Sequence, residues 1–357
     1  MKALFFGSYH QNYSRNRIIL KGLQANSIEV IHCNIFNVRS FKRKWLLLKK
    51  ALNEEYNIIF IGFPASILAM PIALLLKCVK RKKIVYDPLI SQYNTKVNDY
   101  HMFPKHSLRG NILRFVENLS FNMADVLISD TKIHGNYFSE EIQVPKSKIH
   151  RVFVGSDYEK ENSISKSKTQ HFQVTFFGSY IPLQGIPIIF QAAKILLNQT
   201  EIHFKIIGGN PKKILFREML EFKLKNNLNN VEIIPFMQET QLINELNRAD
   251  IILGIFGNSI KSQIVIPNKI YAAIALEKAI ISSNHPAIRE LFTNGHNAIL
   301  CKAEDPESLA NSILTLYTNS ILRTKIAHEG YKTYLQYCTP KKIGNQLKKI
   351  FRETLQK

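Results

Sequence analysis

The chain has 357 residues, of which 45% are hydrophobic and 21% are charged, which is the composition of a globular protein with a buried core. Disordered and collagen-like chains are therefore excluded. Lysine and arginine outnumber aspartate and glutamate by 48 to 27, a net charge of +21, and residues 1–110 alone carry +13 of it. This bias favours anionic partners such as phosphorylated ligands, polyanions or an acidic membrane surface.

The cysteines and the amino terminus indicate the compartment. Because the four cysteines lie far apart in the chain, we expect neither a zinc site nor a disulfide framework, and a reducing cytoplasm fits best. The opening MKALFFGSY has no signal-peptide cleavage site, so it predicts a first strand. The cysteines are Cys33, Cys78, Cys301 and Cys338.

Short apolar runs that end in glycine or a polar turn alternate with helix-length segments. This alternation predicts parallel β-α-β units in doubly wound sheets. A second series of runs starts afresh near residue 174, so the predicted fold class is α/β, with two Rossmann-like domains facing a cleft. The predicted strands are Ala3–Phe6, Ile28–His32, Ile58–Gly62, Lys83–Tyr86, Val126–Ser129 and Arg151–Val154, then Val174–Phe177, Phe204–Ile207, Glu232–Pro235, Ile251–Ile255, Ala279–Ser282 and Ala298–Leu300.

The predicted helices and one polar stretch set the domain limits. Residues 156–171 are rich in serine and lysine and predict a linker between a domain at 1–155 and a domain at 172–338. The terminal helix at 339–357 either packs back on the first domain or meets a membrane or partner. Predicted helices include Arg15–Gln24, Lys42–Leu52, Glu307–Tyr317, Ile321–Tyr337 and Pro340–Leu355.

One uncharged stretch, Tyr56–Leu76, has the length of a membrane-spanning helix and a basic flank. Gly62, Pro64 and Pro71 interrupt it, and similar strands recur along the chain. We therefore expect a buried strand, a turn at Pro64 and a helix from about Ser66.

Both halves of the chain open alike, with a strand followed by Gly-Ser-Tyr at residues 7–9 and again at residues 178–180. A glycine turn that leads into a helix presents backbone N–H groups to a phosphate, although it is also an ordinary connection. Gly208 begins a second close-approach loop. Phe236 is either a core aromatic or a ring that lies against a nucleobase.

Residues 264–282 and 287–298 together resemble the carboxyl-terminal domain of glycosyltransferase family 4, whose members have the GT-B fold. The family's run is approximately P-x-K-x-x-E-x-x-A-x-G-K-P-V-I, then E-L-x-x-x-G-x-N-G and D-P-E-x-L-A. The resemblance covers most of residues 173–320 and, more loosely, the first half, and the PLQG and IPNK strings indicate a subgroup. Matching positions are Pro267, Lys269, Ala275, Lys278, Ile280, Ile281, Glu290, Leu291, Gly295, Asn297 and Asp305–Ala310.

The departures from the family's pattern concern the donor site. Ile264 and Ala272 stand at the two positions of the family's E-x7-E pair, whose second glutamate binds ribose, and Gln184 stands where its phosphate-loop lysine falls. The missing positive charge is expected to come from Lys261 or Lys269. The turns and the resemblance together imply a donor site formed by Gly178, Ser179, Gln184, Gly185, Gly208, Phe236, Lys261, Pro267, Asn268, Lys269 and Tyr271.

The first half supplies the candidate catalytic residues, Asp87 and Arg15. Family members often place a polar residue at the end of the corresponding strand, so the resemblance implies that Asp87 orients or deprotonates an acceptor hydroxyl. The alternative is a turn aspartate before Pro88. Arg15 either contacts phosphate or lies on a solvated helix face, and His10, His101, His106 and His134 are expected in loops or at the surface. Gly7, Ser8 and Tyr13 complete the predicted acceptor side.

The sequence contains no Asp-x-Asp pair to hold a metal-bound diphosphate, so we expect metal-independent chemistry with a nucleotide-sugar as co-substrate and no other cofactor. The basic stretch FKRKWLLLKKAL at residues 41–52, together with residues 80–83, either lies on an anionic membrane or forms a solvated face.

By resemblance, the function is transfer of a sugar, with retention of configuration, from a nucleotide-sugar to a saccharide or lipid-linked saccharide during synthesis of a surface polysaccharide. The expected location is the cytoplasm, with or without peripheral attachment to the inner face of the membrane, and no nucleic-acid partner is expected. Two alternatives stay open, a non-catalytic polyanion or nucleic-acid binder on the same scaffold and a sugar-nucleotide epimerase.

Overall fold

The computed structural model describes residues 1–34, 41–64, 69–160 and 171–356. It contains two compact units, a first domain of Met1–Asp157 with Tyr337–Lys357 and a second domain of Tyr158–Gln336. Each domain is built on a parallel sheet whose strands alternate with helices, so the predicted class of two doubly wound Rossmann-like domains is confirmed. Most of the expected linker, residues 161–170, lies outside the described residues.

The first domain has the strand order β2-β1-β3-β4-β5-β6, with every neighbouring pair parallel. Its elements are β1 (Lys2–Gly7), α1 (Ser14–Ala25), β2 (Glu29–Asn34), α2 (Phe41–Asn53), β3 (Ile58–Ile61), α3 (Ala69–Lys80), β4 (Lys83–Tyr86), a π-helical turn (Asn94–Asp99), α4 (Leu108–Met123), β5 (Val126–Ser129), α5 (Lys132–Glu141), a 3-10 turn (Lys146–Lys148) and β6 (Ile149–Arg151).

The second domain repeats this plan with the order β12-β11-β10-β7-β8-β9. Its elements are β7 (Phe172–Phe177), a 3-10 turn (Pro182–Gln184), α6 (Ile186–Ile195), β8 (Ile202–Ile207), α7 (Ile214–Lys225), β9 (Val231–Ile234), α8 (Glu239–Arg248), β10 (Ile251–Leu253), α9 (Ile260–Ile264), α10 (Asn268–Ala275), β11 (Ala279–Ser283), a 3-10 turn (Ile288–Glu290), β12 (Ile299–Cys301), α11 (Pro306–Thr318) and α12 (Ser320–Tyr337), and it is followed by α13 (Pro340–Gln356).

The continuous apolar runs in the sequence correspond to strands covered on both faces. Every residue of β3, β5 and β10 is buried, which is why these strands are apolar throughout instead of alternating. The predicted strand Arg151–Val154 is wrong, because the strand at this position, β6, ends at Arg151. The carbonyl groups of Val152 and Phe153 accept hydrogen bonds from the buried Arg15 side chain, so this apolar run continues beyond the strand.

The uncharged stretch considered as a membrane span forms the buried strand β3 and the start of α3. The predicted helix start near Ser66 lies outside the described residues. Within the part of the chain that the structure describes, no helix is both long and apolar enough to cross a membrane.

The terminal helix α13 packs on α1 in the first domain. Ile343, Leu347 and Phe351 share its inner face and are fully buried. The two helices approach most closely at a pair of glycines, where a Cβ atom on Gly344 would overlap the backbone carbonyl of Gly22. The apolar face of α13 is therefore used inside the domain.

We expect Gly344→Ala to destabilise the first domain. In an isolated helix alanine is favoured over glycine by about 1 kcal/mol, but here the added methyl group meets rigid backbone atoms of α1, and overpacking of this kind costs about 1–3 kcal/mol. Urea denaturation measures the net loss. Gly330→Ala is the matched control, because its Cβ would meet the Ile274 side chain at 3.1 Å, which can shift. Equal stability of Gly344→Ala and the native chain would contradict the close contact.

Candidate functional site

Glycine turns follow β7 and β8 at the carboxyl edge of the second sheet. The N–H of Gly178 donates to the carbonyl of Ile207 at 2.9 Å, and Gly208 has a φ of +110°. A Cβ atom on Gly208 would lie 2.5 Å from the carbonyl oxygen of Gly178, so only glycine allows the two turns to approach this closely. Ligands of doubly wound sheets bind at this edge.

The ammonium group of Lys269 lies beside the turn after β7. Lys269 belongs to the first turn of α10, and its Nζ donates to Oε1 of Gln184 at 2.6 Å. The same Nζ is 3.4 Å from the centroid of the Phe176 ring. A Cβ atom on Gly178 would lie 3.2 Å from it. Two segments that are distant in sequence, residues 176–184 and the start of α10, therefore meet around one ammonium group.

The environment of Lys269 disfavours that charge. The side chain is 5% exposed, and no carboxylate within the described ranges forms an ion pair with it. Burial lowers the pKa of Lys269 well below its usual value. Burying a cation without a counter-ion costs several kcal/mol, and groups perturbed in this way concentrate at functional sites. A neutral amide oxygen and an aromatic ring compensate only part of that cost, so the site is suited to an anion.

The turn that carries Gln184 is held by the segment after β10. The N–H of Phe256 donates to the carbonyl of Gln184 at 3.1 Å. Gly185 has a φ of +65°, and a Cβ atom there would lie 2.5 Å from the backbone nitrogen of Gly257. Gly185 is thus buried in a contact between loops, and its contact with the donor stays a prediction.

The remaining residues predicted for the donor site differ in how far they are exposed to solvent. Ser179 is exposed beside Gly178, whereas Gly208 is buried against the backbone of Gly178. Lys261, Pro267 and Asn268 are half-buried at α9 and at the start of α10. The structure thus brings Gly178, Gln184 and Lys269 into one cluster, with Gly208 packed against Gly178.

Two aromatic residues of the predicted donor site differ in their exposure. Tyr271 is fully buried, because it is two positions beyond Lys269 on α10 and faces the opposite side of that helix. The expectation that Tyr271 contacts the donor is therefore wrong. Phe236 follows β9 and is 86% exposed, which contradicts its alternative interpretation as a core aromatic.

The two positions of the missing glutamate pair are both apolar and buried in the structure. Ile264 ends α9 and Ala272 lies in the middle of α10. Neither side chain has an oxygen that can accept a hydrogen bond from a ribose hydroxyl.

Two residues at this edge of the second sheet are absent from the sequence-based expectations. Phe176 was interpreted only as part of a strand, but its ring lies under the Lys269 ammonium. His285 follows β11 and donates from Nε2 to the carbonyl of Gly257 at 2.9 Å, and burial lowers its pKa. The sequence indicated His285 only through its position just after a predicted strand, at the edge of the sheet where ligands bind.

In the first domain, the two candidate catalytic residues bind each other. Nε of Arg15 donates to Oδ2 of Asp87 at 2.7 Å, and both side chains are buried. The Arg15 guanidinium also donates to the carbonyls of Val152 and Phe153. Burial raises the pKa of the Asp87 carboxyl, and the adjacent guanidinium opposes that shift. Because Arg15 has no exposed surface, the predicted phosphate contact and the solvated-face alternative are both wrong.

The predicted acceptor residues lie around the end of β1. Gly7 is buried with a φ of +139°, Ser8 is half-buried, and the Tyr13 ring lies 5.0 Å from that of Phe63. A catalytic role of Asp87 stays a prediction, since its carboxylate is turned toward Arg15.

A buried pair, Asp130 with His134, was not anticipated at the end of β5. Nδ1 of His134 lies 2.5 Å from Oδ1 of Asp130, and the His134 ring packs against Phe138 at a centroid distance of 4.2 Å. The expectation that His134 is a loop or surface histidine is therefore wrong.

Comparisons with known proteins agree with this architecture. Residues 171–319 match the family described as Glycosyl transferases group 1. The chain is 22% identical over 329 residues to the uncharacterized glycosyltransferase MJ1178 of Methanocaldococcus jannaschii, covering 84% of this chain and 86% of that protein.

Two solved structures share the fold over nearly the whole chain. Anabaena Alr3699/HepE in complex with UDP superposes with a TM-score of 0.73 at 16% identity, covering 99% of this chain and 100% of that one. Sucrose-phosphate synthase from Thermosynechococcus elongatus gives 0.73 at 12% identity, covering 99% and 98%. The predicted GT-B fold is therefore confirmed.

We expect Arg15→Met to lower the free energy of unfolding of the first domain by about 3–5 kcal/mol, because it leaves the Asp87 carboxyl buried without its partner. Lys2→Met is the control, since it removes an exposed ion pair with Glu29 and costs at most about 1 kcal/mol. Chemical denaturation compares the two variants. Similar losses for both would show that the buried pair does not organise this domain.

We expect Lys269→Met to stabilise the unliganded protein by about 1–3 kcal/mol, because it replaces a buried cation with an apolar side chain of similar length. The folded-state pKa of Lys269 is lowered, so the unfolded chain binds more protons and native stability rises with pH toward 10.5. The advantage of Lys269→Met should therefore be largest below the folded-state pKa of Lys269 and decline as the pH rises. Thermal denaturation at several pH values measures it, and a destabilised, pH-independent variant would contradict the assignment.

Proposed function

We propose that this chain is a GT-B glycosyltransferase that uses a nucleotide-sugar donor and holds the donor's diphosphate against Lys269. The observation that carries the proposal is the buried Lys269 ammonium, which lies between Gly178 and Gln184 without a counter-ion. The match to the group 1 family spans all of these residues. The complexes of Alr3699/HepE with UDP and with UDP-glucose support a nucleotide-sugar as the ligand class.

Lys269 supplies the charge that position 184 lacks. Its Nζ is hydrogen-bonded to the end of the Gln184 side chain, so the ammonium lies where a lysine at position 184 would place its own positive charge. The cation thus originates from α10 instead of the turn after β7, while its position in space is kept. A diphosphate at this point gains charge-assisted hydrogen bonds, which are stronger than those between neutral groups.

This location also suits the chemistry of sugar transfer. When the bond between the sugar and the diphosphate breaks, negative charge accumulates on the leaving phosphate. A fixed cation and the positive end of α10 stabilise that charge, and both are in place before the reaction begins. Because burial lowers the pKa of unliganded Lys269, we infer that a bound anion raises it.

The proposal includes the rest of the reaction. The acceptor is a saccharide or lipid-linked saccharide used in building a surface polysaccharide, and the configuration at the anomeric carbon is retained. Transfer proceeds without a metal ion, as the absence of an Asp-x-Asp pair from the sequence suggests. Turnover should accordingly be unchanged by EDTA, and NMR of the product should show the anomeric configuration of the donor. Loss of turnover in EDTA, or an inverted product, would contradict these parts of the proposal.

Donor binding is tested by titration calorimetry with UDP, GDP, ADP, CMP and their sugar conjugates. We expect one nucleotide class to bind, and Lys269→Met to weaken that binding by about 10–100-fold. Lys194→Met is the matched control, because Lys194 is exposed in the last turn of α6, and it should change affinity by less than about threefold.

A second variant separates a lost charge from a disturbed fold. In the background of Lys269→Met, the change Gln184→Lys returns a cation to the same position from the other segment. We expect this double variant to recover at least part of the nucleotide affinity. Native affinity in Lys269→Met alone, or an absence of binding by every nucleotide to the native chain, would overturn the proposed donor site.

A further inference from the structure

We propose that the outer face of α4 is a docking surface for an anionic lipid bilayer. Five large apolar side chains of this helix are exposed, from 76% for Leu108 and 67% for Phe115 down to 37% for Met123. We refer to these five residues as the α4 stripe. They are Leu108, Ile112, Phe115, Leu119 and Met123.

The α4 stripe is separate from the face that holds the helix to its domain. With 3.6 residues per turn, the stripe occupies an arc of about 80°, and the buried residues Gly110, Glu117 and Phe121 centre on the opposite side, about 180° away. Phe121 packs edge to face against Tyr86 and Phe138, and Glu117 accepts a hydrogen bond from Ser91 at 2.6 Å. The core contacts of α4 are therefore complete without the stripe.

Such an arrangement differs from the scattered apolar residues of an ordinary surface. A helix on the outside of a sheet normally has polar residues on its outer face. Contiguous exposed apolar patches mark sites that meet a partner or a membrane. Exposed Met102 and Tyr100 extend the apolar surface beyond the start of α4, and tyrosine is enriched at membrane interfaces.

The charges around the stripe select an anionic surface as the occupant. Lys105 and Arg109 are exposed at the start of α4. The sequence has no acidic residue from 100 to 116, and Glu117 is turned into the domain. Each basic residue near an anionic bilayer adds to its binding. Symmetric pairing of two copies through the stripe would bring these cations together, which disfavours a second copy as the occupant.

The neighbouring helices present similar chemistry on the same side of the sheet. The connections β2 to β3, β3 to β4 and β4 to β5 all run in one direction across the strand order. Right-handed crossovers then place α2, α3 and α4 on one face. Trp45 of α2 and Leu75 and Val79 of α3 are also exposed. The basic segment at residues 41–52 that was considered for the membrane thus belongs to a wider surface that includes the α4 stripe.

The test is flotation of the full chain with vesicles of phosphatidylglycerol and phosphatidylcholine, compared with vesicles of phosphatidylcholine alone. We expect the native chain to float with the anionic vesicles, and Leu108→Ser/Phe115→Ser to weaken that binding by at least about tenfold. Ile214→Ser/Ile321→Ser is the matched control, because it removes two equally exposed apolar side chains from the second domain and should leave binding unchanged.

The charge contribution is tested with Lys105→Gln/Arg109→Gln, which should weaken binding to anionic vesicles. Unchanged thermal stability and unchanged nucleotide affinity of the stripe variant separate this test from that of the donor site. Three results would each overturn the proposal: a native chain that floats with neither vesicle, a stripe variant that floats like the native chain, or a native dimer in light scattering that the stripe variant abolishes.

Discussion

The proposed donor site depends on one ammonium group without a carboxylate partner among the described residues, that of Lys269, which is buried at the carboxyl edge of the second sheet. The surrounding backbone allows this arrangement, since Gly178 leaves room for Nζ and Gly208 lets a second turn close over the first. Packing of the turn at Gln184 against Phe256 fixes the hydrogen-bonding partner of the lysine. A protein selected for stability alone would gain by replacing such a cation, and this cost is why we propose a ligand for it.

The first domain also contains a buried cation, but this one has a carboxylate partner. Arg15 is as deeply buried as Lys269, but it has a carboxylate partner in Asp87 and two carbonyl acceptors, in Val152 and Phe153. Through Arg15, these bonds tie α1 to the end of β4 and to the segment after β6. They stabilise the edge of the sheet where ligands bind in this fold. One cation is thus neutralised within the fold, whereas the other is left for an anion to neutralise.

Strand positions were largely predictable from the sequence, because parallel strands covered on both faces form continuous apolar runs with definite ends. Side-chain environments were predictable only where the local sequence determines them. Tyr271 was misassigned because the sequence does not show which side of α10 faces the sheet, and Arg15 because its partners lie about 70 and 140 residues away. The exposure of the α4 stripe could not be predicted from the sequence. Apolar residues on the outer face of a helix have the same sequence pattern as those of a buried helix.

The most direct test of the central claim is a crystal structure of the chain with the nucleoside diphosphate that calorimetry identifies. The account predicts a phosphate oxygen about 2.7–3.2 Å from Nζ of Lys269, with Gly178 and Gln184 lining the same phosphate. A diphosphate bound elsewhere, with Lys269 still hydrogen-bonded only to Gln184, would contradict it and return Lys269 to a structural role.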